Sequence, residues 1–193
     1  MGIEFELKYK ATAEILDAVL ASLDGSVTHY NMRTSYYDTA DRDFSARHWT
    51  LRRRMENNTS VCTLKTPGAD GARSEFEVEC DCIEFAIPEL CKLSGLTEPA
   101  LFVEKGLHAI CVASFHRIAV TLSLEGAVVE VALDRGLLLG GSQTLPLCEL
   151  EVELKSGDKA VAIAFADSLV ARFGLTPEPQ SKFRRAALLA GGM

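Results

Sequence analysis

A chain of 193 residues, 48% hydrophobic and 24% charged, has a globular composition, and a prior of about 150 residues per domain makes 1–193 a single domain. The formal net charge of −7 argues against a non-specific nucleic-acid binder, which depends on excess Lys and Arg, while a local cluster of cations still permits a small anionic ligand. There is no apolar run near the roughly 20 residues that span a bilayer, no basic and apolar leader, and no CxxC pair among the six cysteines, so a cytoplasmic protein with reduced thiols, off the membrane, is expected.

Along the chain, Ile3 to Tyr9 places apolar residues at odd positions and charged ones at Glu4, Glu6 and Lys8, the period of a strand. Thr12 is placed to cap a helix through Leu23, with Ile15, Val19, Leu20 and Leu23 on one face and Gly25 beyond its end. Leu51 to Arg54 and Val61 to Lys65 read as short strands, followed by a turn at Gly68 to Gly71 and a strand at Glu75 to Glu79. Helices are predicted over Ile83–Leu93, with Pro88 a boundary or kink, and over Pro99–Val112. Strands follow at Phe115–Leu124, Val129–Asp134 and Glu149–Lys155, with a turn at Gly140 to Ser142. A helix over Ala160–Phe173 stops at Gly174, and a last short one starts near Ser181. The expected class is α+β, dominated by antiparallel strands, without internal repeats.

The strand period puts like charges on shared faces: Glu4, Glu6 and Lys8; Arg52 and Arg54; Arg73, Glu75, Glu77 and Glu79; Glu130 and Asp134; Glu149, Glu151, Glu153 and Lys155. For one strand the simple explanation is a solvated face. Repetition favours another. Like charges along a face repel, whereas carboxylates beside Arg and Lys suit divalent cations that grip phosphate oxygens. Were the sheet to close into a barrel of roughly eight strands, these faces could line a polar lumen. Spacing alone does not determine which way they point.

The order of short motifs supplies more. Glu4-Phe5-Glu6-Leu7-Lys8 has the form ExExK and is followed by Tyr36-Tyr37-Asp38-Thr39, Leu51-Arg52-Arg53-Arg54, Leu64-Lys65, Arg73-Ser74-Glu75, His116-Arg117, Glu130 to Asp134, Cys148-Glu149-Leu150-Glu151 and Ser181-Lys182. In this order and spacing the chain resembles the CYTH superfamily of triphosphate tunnel metalloenzymes. The resemblance implies a closed antiparallel β-barrel, the triphosphate tunnel, with helices packed outside. It implies a substrate clamp of Lys8, Arg52, Arg54, Lys65, Arg73, Arg117, Lys182 and Arg185, Arg185 being preferred over Arg184 as the residue that turns inward. It also implies metal-binding carboxylates at Glu4, Glu6, Glu130, Asp134, Glu149 and Glu151, with Glu153 a further candidate. Lys8, Glu149 and Glu151 are the implied catalytic residues. Phe44 to Thr50 departs from the leucine and small residues common in the family.

The implied activity is metal-dependent hydrolysis of a small triphosphate with Mg²⁺ or Mn²⁺, two ions being expected, by in-line attack of water. The segment from Cys148 to Asp158, with Ala132 to Gly136 and Ser181-Lys182, is most similar to the bacterial inorganic triphosphatases, so tripolyphosphate is the expected substrate. The alternatives are a class IV-type adenylyl cyclase, a thiamine triphosphatase, and a non-catalytic polyphosphate or nucleotide-binding module. Relatives in that branch often carry a C-terminal CHAD domain. This chain ends at Met193 before one, as either a stand-alone form or a shortened one.

Overall fold

The computed structural model of the protein describes residues 5–68 and 73–191. The alternating segments form strands. β1 (Phe5–Lys10) is followed by α1 (Ala13–Leu20), β2 (Ser26–Asp38), β3 (Thr50–Glu56), β4 (Thr59–Pro67) and β5 (Arg73–Glu79). Next come α2 (Ile83–Ser94), α3 (Glu98–Glu104), β6 (His108–Leu124), β7 (Ala127–Gly140), β8 (Gln143–Gly157), α4 (Lys159–Phe173), the two-residue β9 (Thr176–Pro177) and α5 (Lys182–Leu189). No helix among the described residues is long and apolar enough to cross a membrane.

The expected closed barrel of about eight strands is not what forms. Among the described residues nine strands make one open antiparallel sheet, ordered β5-β4-β3-β2-β6-β7-β8-β1-β9. Part of the β1 edge is already taken. There β9 pairs with Tyr9 and Lys10, and the Glu178 N–H donates to the Lys8 carbonyl at 2.9 Å. These are the backbone groups that a closing strand would need. Alternation of charged and apolar residues is the same in a curved open sheet and in a barrel, so it does not encode closure.

The helices also divide differently from the expectation that all pack outside. α1 and α4 bury Leu16, Val19, Ala162, Ala166 and Leu169 against Val129, Val131, Leu133, Leu150 and Val152 on the convex face. α2 and α3 cover Leu51, Cys62 and Leu64 on the same face, where Phe44, Trp49 and Phe102 pack edge to face or tilted. α5 lies on the other face, with Ala186 and Ala187 against Ala113, Phe115, Leu138 and Leu147. Gly140 permits this approach: a Cβ there would stand 2.3 Å from the Ala186 carbonyl oxygen and 2.7 Å from the Ala190 nitrogen.

Two local readings change. The helix expected over Pro99–Val112 stops at Glu104, because Gly106 takes a positive φ of 87° and the residues from His108 onward pair with β2. β2 itself escapes the period test, since its outer positions carry Thr, His, Asn and Ser in place of a regular apolar row. The unusual Phe44–Thr50 segment is organised by buried Asp38, whose carboxylate accepts from the N–H groups of Thr39, Phe44 and Ser45 at 2.8, 3.0 and 3.0 Å. Thr12 and Ser181 cap their helices as expected. All six cysteines are free thiols.

Candidate functional site

The charged positions share the face opposite α1 and α4, and the sheet curls enough for its two ends to meet around one cleft of about 400 Å³. Glu6 and Lys8 of β1 line it from one side, and Lys65, Arg73 and Glu75 of β4 and β5 from the other. Arg52, Arg54, Arg117, Glu151 and Lys182 complete the polar wall, with Met32, Tyr36, Phe115 and Phe183 as an apolar patch. Cross-strand register explains the convergence: Tyr36 stands opposite Arg52, Thr34 opposite Arg54, Arg117 opposite Asp134, Asp134 opposite Glu149, and Lys8 opposite Glu151. The apolar residues between them face the helices.

One end is built on three buried carboxylates. Asp134, Glu149 and Glu151 each offer an oxygen within 4.8 Å of the others. Three cations hold them. Arg117 forks onto Asp134 with two contacts of 2.7 Å and reaches Glu151 at 2.5 Å. The Lys182 ammonium touches all three, at 2.8 Å for Asp134, 2.6 Å for Glu151 and in close contact with Glu149. Arg185 holds the second Glu149 oxygen.

These neighbours set the charge states. Burial pushes Glu149 up to about 7, an effect that Lys182 opposes and the adjacent Glu151 carboxylate reinforces. Burial would also raise Glu151, but Lys182 and Arg117 outweigh it and hold this carboxyl well below the usual range. Burial opposes the charge of Lys182, yet Glu151, Asp134 and Glu149 keep its ammonium well above the ordinary value. Glu6 is raised by burial and then by Glu151. Oxygen donors in this number and proximity, buried on strands, fit a hard divalent cation.

The other end is a wall of cations. Arg52 reaches Glu77 at 3.6 Å and Glu75 at 3.8 Å, and its buried Nε has no hydrogen-bond partner. Arg54 Nε lies 2.6 Å from a Glu56 oxygen in a geometry that makes no hydrogen bond. Lys65 pairs with Glu75, while Arg73 donates to the carbonyl of His48 at 2.8 Å. Burial and then the Arg52 charge lower the pKa of Arg54, and burial lowers that of Arg73. An anion entering the cleft would relieve both, and forked guanidinium groups match its oxygens.

Of the residues singled out in the sequence, Lys8, Glu6, Arg52, Arg54, Lys65, Arg73, Arg117, Glu151 and Lys182 line the cleft. Asp134 and Glu149 stand directly behind them with no exposed surface. Arg185, and not the exposed Arg184, turns toward Glu149, but it does so from behind and does not line the cleft. Glu130 is set apart from the cluster, 3.7 Å from Lys155, which also holds Glu153 at 2.9 Å. Glu4 lies outside the described residues. Sequence reasoning did not select Glu75, although its place on the Arg73–Glu79 face marked it. It also passed over Glu178, a lone carboxylate between two prolines with no periodic signal.

Known proteins are similar to this chain in sequence or in fold. A 30% identical relative over 193 residues is an inorganic triphosphatase of Haemophilus influenzae; the match covers 96% of this chain and 54% of that protein, so the chain spans about half the length of the curated relative it matches. Among solved structures, a Hippeastrum protein proposed to be an adenylyl cyclase and found to have a dominant triphosphatase activity superposes with a TM-score of 0.63 at 18% identity, over 98% of this chain and 97% of that one. The PH1819 protein of Pyrococcus horikoshii superposes with a TM-score of 0.59 at 22% identity, over 93% and 96%. At these identities the likeness is one of fold. The CYTH domain profile matches residues 2–187, from the ExExK strand to the helix bearing Lys182, and the chain therefore belongs to the CYTH domain family.

Proposed function

We propose that the cleft binds a small triphosphate and, with a divalent cation, hydrolyses its terminal phosphoanhydride, the preferred substrate being inorganic tripolyphosphate, released as pyrophosphate and phosphate. The observation that carries this reading is the pairing of a crowded cation wall, with the Arg52 Nε left unpartnered, against three buried carboxylates within 4.8 Å of one another. Family membership and the inorganic triphosphatase relative support it.

In this reading Arg52, Arg54, Lys65 and Arg73 bind and orient the phosphate chain by forked and point-charge contacts. Arg117 and Lys182, placed where the wall meets the carboxylates, neutralise charge as it builds on the cleaved phosphate, and Lys8 faces the same end. Asp134, Glu149 and Glu151 would hold a Mg²⁺ or Mn²⁺ ion, and Glu6, beside Glu151, would extend the set toward a second. Such an ion supplies Lewis-acid charge neutralisation and a more acidic water. Catalysis is then positioning and electrostatics, without a protein nucleophile.

The test is to incubate purified protein with tripolyphosphate, ATP and thiamine triphosphate, with Mg²⁺, Mn²⁺ or EDTA, and to follow phosphate, pyrophosphate and cyclic AMP. Phosphate release that is fastest from tripolyphosphate and abolished by EDTA is the expected result. Cyclic AMP with pyrophosphate from ATP would move the site to cyclase chemistry, preference for thiamine triphosphate to that substrate, and metal-independent binding without turnover to a binding module.

A further inference from the structure

Glu178 lies outside the cleft yet touches both structures that frame it. Its N–H donates to the Lys8 carbonyl at 2.9 Å, on the β1 edge that carries Glu6 and Lys8. Its side chain, 6% exposed, reaches Arg185 Nη1 at 3.5 Å and Lys10 at 3.8 Å. Arg185 is the first residue of α5 after Lys182 to turn inward onto the carboxylates, and its other terminal nitrogen holds Glu149. A chain of charges thus runs from the sheet edge through Glu178 and Arg185 to Glu149, and from there to Lys182.

Resting on the triphosphatase reading of the cleft, we propose that Glu178 is a positioning residue for that reaction: by holding Arg185 through its side chain it fixes Glu149, and with it the carboxylate cluster, while its backbone N–H holds the β1 edge at Lys8. The physical reason is valence. Arg185 is fixed by two carboxylates set apart, while its Nε makes no hydrogen bond. Without the Glu178 charge one fork of the guanidinium is released, and the Glu149 oxygen it holds gains freedom to rotate. A purely structural role would rest on the turn contact, in which a Glu178 oxygen accepts from the Gln180 N–H at 3.0 Å. Glu178→Gln keeps an acceptor for that contact and removes only the charge.

The experiment combines Glu178→Gln, Glu149→Gln and Arg185→Met, singly and together, with two readouts. In chemical unfolding, the factor by which Glu178→Gln changes the equilibrium constant is expected to differ about tenfold between proteins with and without Glu149→Gln, and to lose that difference once Arg185→Met is present. Coupling that is absent, or that survives removal of Arg185, overturns the proposal whatever the cleft turns over. In steady-state kinetics with tripolyphosphate and Mg²⁺, folded Glu178→Gln is expected to lose about tenfold in kcat while KM moves less than about twofold. Full kcat in that folded variant also overturns it. A wild-type protein that turns over no triphosphate rejects the proposed activity alone, and the unfolding arm still decides whether Glu178 holds Glu149.

Discussion

Arg52 is the residue whose surroundings point most directly to an anion. Its carboxylate contacts are long, at 3.6 and 3.8 Å, and its Nε is buried without a partner, a cost that a phosphate oxygen would remove. Arg52→Met is expected to raise KM for tripolyphosphate by about tenfold or more, the scale of one charge-assisted contact, with a smaller fall in kcat. Initial-rate kinetics check this, and an unchanged KM would remove Arg52 from the clamp. Glu149 carries a pH signature. Its folded value of about 7 lies above the ordinary 4.5, so the folded protein holds this proton more tightly than the unfolded chain. The contribution of Glu149 to stability is therefore fully present below about 4.5 and is lost as the pH rises to about 7. Glu151 shifts the other way, and its contribution is lost only as the pH falls below the ordinary carboxylate range. In metal-free protein, thermal melts from about pH 4.5 to about pH 7 should show wild type losing stability relative to Glu149→Gln; parallel curves would contradict the assignment. These two carboxylates were legible in the sequence as positions on one strand face, but their opposite shifts were not, because that of Glu149 comes from burial in the folded sheet and that of Glu151 from Lys182 of α5 and Arg117 of β6.

At the scale of elements, α5 decides the character of the site. Its placement on the concave face brings Lys182 among the carboxylates and Arg185 behind them, and Gly140 makes the approach possible. Gly140→Ala would force its Cβ into the backbone of α5 at Ala186 and of Ala190 just past the helix end. The expected cost is about 1–3 kcal/mol of stability, measured by urea unfolding, together with weaker triphosphate binding. A neutral substitution would show that α5 is seated less closely than the structure has it. The short helix near Ser181 was predicted from its cap, and the choice of Arg185 over Arg184 from the family pattern. The side of the sheet on which the helix lands has no local signal, since small apolar residues such as Ala186 and Ala187 pack equally well on either face.

For the whole molecule, the open sheet has consequences that a closed barrel would not share. β5 is a free edge among the described strands, and β9 covers only the end of β1. Native-state hydrogen exchange should find the strongest protection in β6, β7 and β8, at the middle of the sheet, and fast exchange at the β5 amides that do not face β4. Protection of those outward β5 amides comparable to the centre would mean that the edges pair in solution. The sequence by itself determined the alternation, hence which residues share a face, the helix caps, and the ordered motifs that mark the CYTH family, because each follows from local geometry or from short spacings. Only the tertiary structure decided which way the charged face curls, that the sheet stays open, that Glu130 stands apart, and that Glu178 reaches Arg185. Those outcomes depend on which distant edges and faces meet once the apolar sides are buried, and strand periodicity is the same whichever of them meet.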